Sequence, residues 1–226
     1  MGRCRIVAPP PPPKPELLAR LAAQPTPALS DAMDRLHGVV GLRPIPGTSG
    51  DTRLVGPALT VRTRPGDNLV VHKAVDLARP GDVVVVDGAG DETRALVGDL
   101  LCRHAAARGI AGLVVDGAVR DVRDLAALAL PVFARSVSHL GPYKDGPGEI
   151  GAPISVGGTA VRSGDLVVGD DDGVVAVPYD RADEVAGAAE ELSEREREIT
   201  AAIAGGTWDR SWVDAGLEII RVEGDR

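Results

Sequence analysis

Residues 81–134 read GDVVVVDGAGDETRALVGDLLCRHAAARGIAGLVVDGAVRDVRDLAALALPVFA. The turn Arg79-Pro80-Gly81-Asp82 leads into a continuous apolar run, residues 83–87, of the kind that a strand buried on both faces requires. After the loop Gly88-Ala89-Gly90 the pattern predicts a helix over roughly 93–108, closed by Gly109. A strand over 112–116, a short helix around 121–128 and a strand over 131–134 complete a β-α-β-α-β succession. Such a succession predicts a parallel sheet with right-handed crossovers, hence an α/β fold.

Outward from this unit, residues 57–63 alternate as a strand, and Asn68 is placed to cap a helix running to about residue 78. Toward the N-terminus, Pro15 opens a short helix, and a second starts with Thr26-Pro27 as N-cap and first helical residue, or restarts at Ser30-Asp31, and stops at Gly38. Residues 1–14 form an arm ending in the five-proline run 9–13, a spacer or strap in which Cys4 is expected to be floppy. On the C-terminal side, strands over 153–156, 166–169 and 174–177 are joined by Gly-Asp turns. A charged helix over 181–204 follows, then a tail over 207–226. Asp170-Asp171-Asp172-Gly173 opens like a calcium loop, but Arg181 stands where the twelfth-position Glu is needed, so a hairpin turn is expected. The domain proper is thus residues 15–206.

The composition excludes several classes. The net charge is −8 and the chain has five aromatic residues, whereas a nucleic-acid module wants a basic stripe and stacking rings. The two cysteines, Cys4 and Cys102, form neither a C-x-x-C pair nor a zinc spacing, which points to a reducing compartment. The longest apolar runs fall well short of the ~20 residues that a membrane helix needs. A cytoplasmic globular protein is expected.

Chemistry concentrates at the ends of the parallel strands, where α/β sheets place ligands. Asp99 lies in Gly98-Asp99-Leu100-Leu101, and Arg120-Asp121 directly follows the strand over 112–116. Arg offers a planar fork to a carboxylate. Asp offers a hard oxygen to a divalent cation. Backbone N–H groups at a helix start hold an anionic oxygen. On the bland reading, Asp99 and Asp121 are helix caps and Arg120-Asp121 a surface pair. His72, four residues after Asn68, is a packing residue or faces the substrate. Asn68 caps its helix and borders the pocket.

The spacing of Asp99, twenty intervening residues and Arg120-Asp121 resembles the D-x20-R-D signature of class II pyruvate aldolases that act on 4-hydroxy-4-methyl-2-oxoglutarate and 4-carboxy-4-hydroxy-2-oxoadipate. These share a family with the regulator of ribonuclease activity A. The likeness extends over Gly66-Asp67-Asn68 with His72, Arg79-Pro80-Gly81-Asp82, Arg108-Gly109, Gly117 to Asp121, Pro131-Val132-Phe133 and residues 164–178, GDLVVGDDDGVVAVP. It implies a single swivelling β/β/α-type domain with a parallel core sheet, flanking antiparallel strands and terminal helices. It also implies that Asp121 binds Mg²⁺ or Mn²⁺, largely through water, and that Arg120 binds the keto acid and steadies the enolate. Asp99 would order a water, the amides of Leu100 and Leu101 would cradle the pyruvyl carboxylate, and a C-terminal Glu would reach the neighbouring subunit's site. Counting back from Gly205-Gly206, Glu196 matches best, with Glu194 and Glu198 as alternatives. A homotrimer or hexamer and an oxaloacetate decarboxylase side activity are implied as well.

Three rivals stand beside this reading. A Schiff-base aldolase needs an activated lysine. The three lysines, Lys14, Lys73 and Lys144, show no supporting partner in the sequence. A non-catalytic regulator would bind a ribonuclease or other protein. A divergent family member would act on another keto or hydroxy acid.

Overall fold

The parallel unit is present, and the rest of the chain wraps it. The computed structural model describes residues 2–47 and 53–220. In chain order the elements are β1 (Cys4–Ile6), α1 (Pro15–Ala22), α2 (Thr26–Asp31), β2 (Gly38–Val39), β3 (Arg43–Pro44), β4 (Leu54–Thr63), α3 (Leu69–Leu77), β5 (Val83–Val97) and α4 (Asp99–Ala107). They continue with β6 (Gly112–Val119), α5 (Val122–Leu125), β7 (Val132–Val137), β8 (Gly148–Ile150), β9 (Ile154–Val156), β10 (Thr159–Val161), β11 (Leu166–Asp170), β12 (Gly173–Val177), α6 (Ala182–Ala204) and α7 (Ser211–Ala215).

The main sheet runs β2-β12-β11-β4-β5-β6-β7-β3, with β8 added beside β4 and β1 beside β8. β4, β5, β6 and β7 are mutually parallel. The flanks are antiparallel: β11 pairs with β4 and β12, β12 with β2, and β3 with β7. This is an α/β fold with a mixed sheet. Every residue of β6 is buried, including Asp116, whose carboxylate pairs with Arg135 and accepts the Gly157 N–H. One face of the parallel strands packs on α3 and α4 through Val71, Val75, Leu101, Cys102 and Ala105. The other face meets β9 and β10 through Ile154, Val156 and Val161. A separate cluster joins α1, α2 and the first half of α6 to β11 and β12. Each such aliphatic side chain contributes roughly 1.5–3 kcal/mol when fully buried.

Several expectations are corrected. The helix expected from residue 93 begins at Asp99, because β5 does not stop at Gly88. Ala89 and Gly90 take positive φ (57° and 68°) and bend the strand, and its distal half resumes pairing with Gly117, Ala118 and Val119 of β6. Asn68 does not cap α3 with its side chain. The carboxylate of Asp67 does, accepting the Leu69 N–H at 3.0 Å. The second helix is capped by Pro25 and ends at Asp31, and the chain then turns through Asp34 and Arg35, both at positive φ. Cys4 is not floppy. It lies in β1, in parallel register with Gly148 of β8. The arm is strapped down further along, where Arg79 donates to the Pro10 carbonyl at 3.1 Å. The Asp170–Gly173 turn closes the β11–β12 hairpin as expected, and Asp170 is committed to Thr26 and Arg53.

Candidate functional site

The bend in β5 decides where the site lies. Its distal half brings Ala95, Leu96 and Val97 over the carboxyl end of β6, and Gly98 then turns the chain into α4. β6 ends at Val119, and the Arg120 N–H is held by the Val97 carbonyl at 3.0 Å. The two sequence motifs, twenty residues apart, are thereby placed side by side. Together with the β7–β8 loop they enclose a cleft of about 330 Å³, at the small end of the range for ligand sites. Its walls include Gly98, Leu100, Leu101, Arg120, Asp121, Asn68, His72 and Lys144.

Asp121 sits in the left-handed region (φ 60°, ψ 37°), a conformation that costs a non-glycine residue on the order of 1–3 kcal/mol and is most often kept for a purpose. That backbone aims its Oδ2 at the Asp99 N–H, 3.1 Å away, and toward Arg120 Nε at 3.4 Å. Gly98 is required by the same packing. A Cβ there would meet Asp121 Oδ2 at 2.6 Å and Arg120 Nε at 3.1 Å.

α4 begins at Asp99 with no side-chain cap. The N–H groups of Leu100 and Leu101 therefore stay free at the positive end of the helix, a ready cradle for a carboxylate. Leu100 itself is 82% exposed. Asp99 does not line the cleft. Arg103, one turn on, lies 2.9 Å from its Oδ2 and 2.7 Å from its Oδ1. The guanidinium N–H is aligned with Oδ2, so the buried Oδ1 has no hydrogen-bond donor among the described residues. Oδ1 is shielded from solvent and faces the Arg103 charge.

On the far wall Asn68 and His72, both expected at the pocket from the sequence, meet Lys144, which was not. Lys144 Nζ donates to Asn68 Oδ1 and to His72 Nε2, both at 3.0 Å. The Asn68 amide in turn donates to the Leu96 carbonyl at 2.8 Å. Burial, aided by the Lys144 charge, lowers the His72 pKa, so this ring stays neutral and accepts. Asp67 anchors the arrangement. Burial disfavours its charge, but N–H donors from Leu69, Asp145 and Gly146, with Arg64 beside it, outweigh that and lower its pKa. The lysine that lacked partners in the sequence thus has two, set by a loop 76 residues from Asn68. Nothing local signals that approach.

Other candidates separate from the cleft. Glu196 lies on the exposed second half of α6 and does not line the cleft of its own chain. Glu194 pairs with Arg197 at 2.6 Å. Cys102 is buried behind Asp99, and burial pushes its thiol up to about 12, so it is no nucleophile. Lys73 lies away from this cleft, beside Cys4.

Among the described residues, no three His, Cys, Asp or Glu side chains converge to hold a metal ion. A zinc centre therefore does not fit. One carboxylate facing a polar cleft does fit a hard, mostly hydrated cation, which is held by one or two carboxylates with water and substrate completing its shell.

Fold and cleft together define an α/β protein with a polar cleft at the carboxyl ends of its parallel strands. The comparisons name the family. Residues 26–176 match the RraA-like family model, described as Aldolase/RraA, and the chain belongs to this family. A Halalkalibacterium halodurans protein, provisionally named 4-hydroxy-4-methyl-2-oxoglutarate aldolase, is 43% identical over 75% of this chain and 80% of its own length. Among solved structures, an uncharacterized protein from Pseudomonas syringae pv. tomato superimposes with a TM-score of 0.78 at 31% identity, covering 87% of this chain and 92% of that one. Streptomyces coelicolor RraAS2, described as an unusual member of the RNase ES inhibitor RraA family, gives 0.76 at 28% identity, covering 84% and 98%. No helix among the described residues is long and apolar enough to cross a membrane.

Proposed function

We propose that the protein is a divalent-metal-dependent aldolase. It cleaves a 4-hydroxy-2-keto acid of the 4-hydroxy-4-methyl-2-oxoglutarate type into pyruvate and a second keto acid. The observation behind this is the convergence of Arg120, Asp121 and the free amides of α4 in one small cleft, and the relatives' names point the same way.

The pyruvyl carboxylate sits on the Leu100 and Leu101 N–H groups. Asp121 holds Mg²⁺ or Mn²⁺, which when bound supplies Lewis-acid stabilisation of the charge arising on the 2-keto oxygen. Arg120 offers its fork to the same developing charge, a preorganised contact of the kind worth about 2.7–4 kcal/mol. A base removes the C4 hydroxyl proton, the C3–C4 bond breaks, and its electron pair becomes the enolate of pyruvate, later protonated at C3. Asp99, paired with Arg103 at the start of α4, orders the water that acts as that base. Glu196 of a neighbouring copy in a trimer or hexamer is the second group. Lys144, held by Asn68 and His72, takes the carboxylate of the leaving half, which makes dicarboxylic substrates the preferred class. Oxaloacetate yields the same enolate by loss of CO₂ with no base, so decarboxylation is the expected side activity.

A pyruvate-release assay over a panel of 4-hydroxy-2-keto acids and oxaloacetate tests the proposal. Turnover that requires Mg²⁺ or Mn²⁺ and favours a dicarboxylic substrate supports it, and no pyruvate from any member of the panel contradicts it. The likeness to RraAS2 keeps a second reading in view, a non-catalytic regulator of a ribonuclease. That reading requires the cleft to be silent in the same assay.

A further inference from the structure

A second cleft, of about 520 Å³, lies beside β8 and is lined by Arg3, Arg5, Arg62, Arg64, Thr63, Pro147, Gly148 and Glu149. Four guanidinium groups line it in a chain of net charge −8, with Glu149 the carboxylate of the lining and Asp87 a further partner of Arg62 at 3.3 Å. The strand register explains how it arises. β8 is sandwiched between β1 and β4, and Glu149 stands opposite both Arg5 and Arg62. Side chains two residues apart share a face of a strand, so Arg3 lies next to Arg5 along the arm and Arg64 next to Arg62.

Two rows of charge result. In the first, Glu149 Oε1 lies 3.3 Å from Arg5 and its Oε2 lies 3.4 Å from Arg62, so both arginines are matched. In the second row the central position, two residues before Glu149, is Pro147, which has no charge to offer. Arg3 flanks it on the arm side and has no ion pair among the described residues. Arg64 flanks it on the other. It donates to Asp67 Oδ2 at 3.0 Å, a carboxylate that also accepts three backbone N–H groups, and lies 3.5 Å from the exposed Asp145.

Apolar burial does not hold the arm here, because all three residues of β1 are exposed. Like charges brought together across a sheet are destabilising. An anion over Pro147 would offset that repulsion as Glu149 does in the first row. Arg3 and Arg5 also lie outside the residues that match the family model, so the cleft depends on a segment beyond that match.

We infer that the N-terminal arm completes a second oxyanion-binding site, distinct from the Arg120 cleft, in which Arg3 and Arg64 grip a phosphoryl or carboxylate group of a small anionic ligand above Pro147. Planar guanidinium forks suit either oxyanion. The volume leaves room for a ligand well beyond a single such group.

Isothermal titration calorimetry at low ionic strength tests this, with pyrophosphate and citrate as separate probes. The protein used is the full chain carrying Arg120→Ala and Lys144→Ala, so that the first cleft cannot report. Saturable binding of at least one probe at one site per chain is expected, and the probe that binds identifies phosphoryl or carboxylate chemistry. Arg3→Ala or Arg64→Ala should weaken it about tenfold or more, Glu149→Gln should strengthen it by freeing the first row, and Arg195→Ala on α6 should leave it unchanged. No saturable heat with either probe, or equal weakening by Arg195→Ala, overturns the inference. Circular dichroism of each variant establishes that the fold is intact.

Discussion

Gly98→Ala isolates the geometry of the Arg120 cleft from its chemistry. Gly98 has φ −151° and ψ −173°, extended backbone that alanine adopts without strain. The cost is therefore purely one of contact. The added methyl would sit 2.6 Å from Asp121 Oδ2, 3.0 Å from Arg120 Cγ and 3.1 Å from Arg120 Nε. Restoring an ordinary separation of about 3.5 Å requires the carboxylate to retreat by about 0.9 Å. A misplacement of 1 Å at a reacting centre can cost on the order of 100-fold, so kcat/KM should fall roughly 10- to 100-fold, about 1.4–2.7 kcal/mol. Stability should barely move. Crowding at a cleft wall costs on the order of 1 kcal/mol, and the reduced freedom of the unfolded chain returns about 0.4–1 kcal/mol. Pyruvate release under saturating Mg²⁺, with a thermal melt alongside, measures both. A folded variant within threefold of wild type would show that the placement of Asp121 and Arg120 is irrelevant to the rate, and the reasoning fails.

Three further outcomes follow from the same site. Lys144→Met should lower kcat/KM for a dicarboxylic substrate by about 10- to 100-fold, the range expected for a lost charge-assisted contact. It should change a 4-hydroxy-2-keto monocarboxylate little, and equal loss on both assigns Lys144 a purely structural role. Because the His72 pKa is lowered in the fold, the unfolded chain takes up that proton first as pH falls, so stability is full above pH 6.5, falls below it, and levels off once the folded ring protonates. Melts from pH 8 to 5 in wild type and His72→Gln check this, and identical pH profiles refute it. Glu196→Gln should depress aldol cleavage more than oxaloacetate decarboxylation, and mixing its subunits with Asp121→Asn subunits should recover activity. No recovery means that Glu196 does not act across an interface.

Much of this was legible in the chain itself, for definite reasons. Short β-branched runs such as Val83–Val86, bounded by turn residues, suit a strand covered on both faces, so the parallel unit could be read directly, although the second strand runs to Val119 rather than ending at Asp116. Gly98, Arg120 and Asp121 could be found because each motif is local and strand ends are where such groups act. The distal half of β5 could not, since its pairing depends on β6 residues far along the chain, and Gly88-Ala89-Gly90, which reads as a loop, is a bend within one strand. The same holds for Lys144, Asp67 and the docked arm. Each owes its place to a long-range approach: the β7–β8 loop onto α3, and β1 onto β8. The Asn68 side chain was free to look like a cap because Asp67, its neighbour, does the capping instead.

The central claim is that Asp121 supports a metal-dependent cleavage that liberates pyruvate. Its most direct test is pyruvate release from 4-hydroxy-4-methyl-2-oxoglutarate by chelator-stripped protein, before and after Mg²⁺ or Mn²⁺ is added, in wild type and Asp121→Asn. The account predicts no turnover in stripped wild type, full recovery on adding metal, and no recovery in Asp121→Asn up to millimolar metal. Undiminished turnover after stripping, or a covalent pyruvate adduct at Lys144 trapped by borohydride, would contradict it.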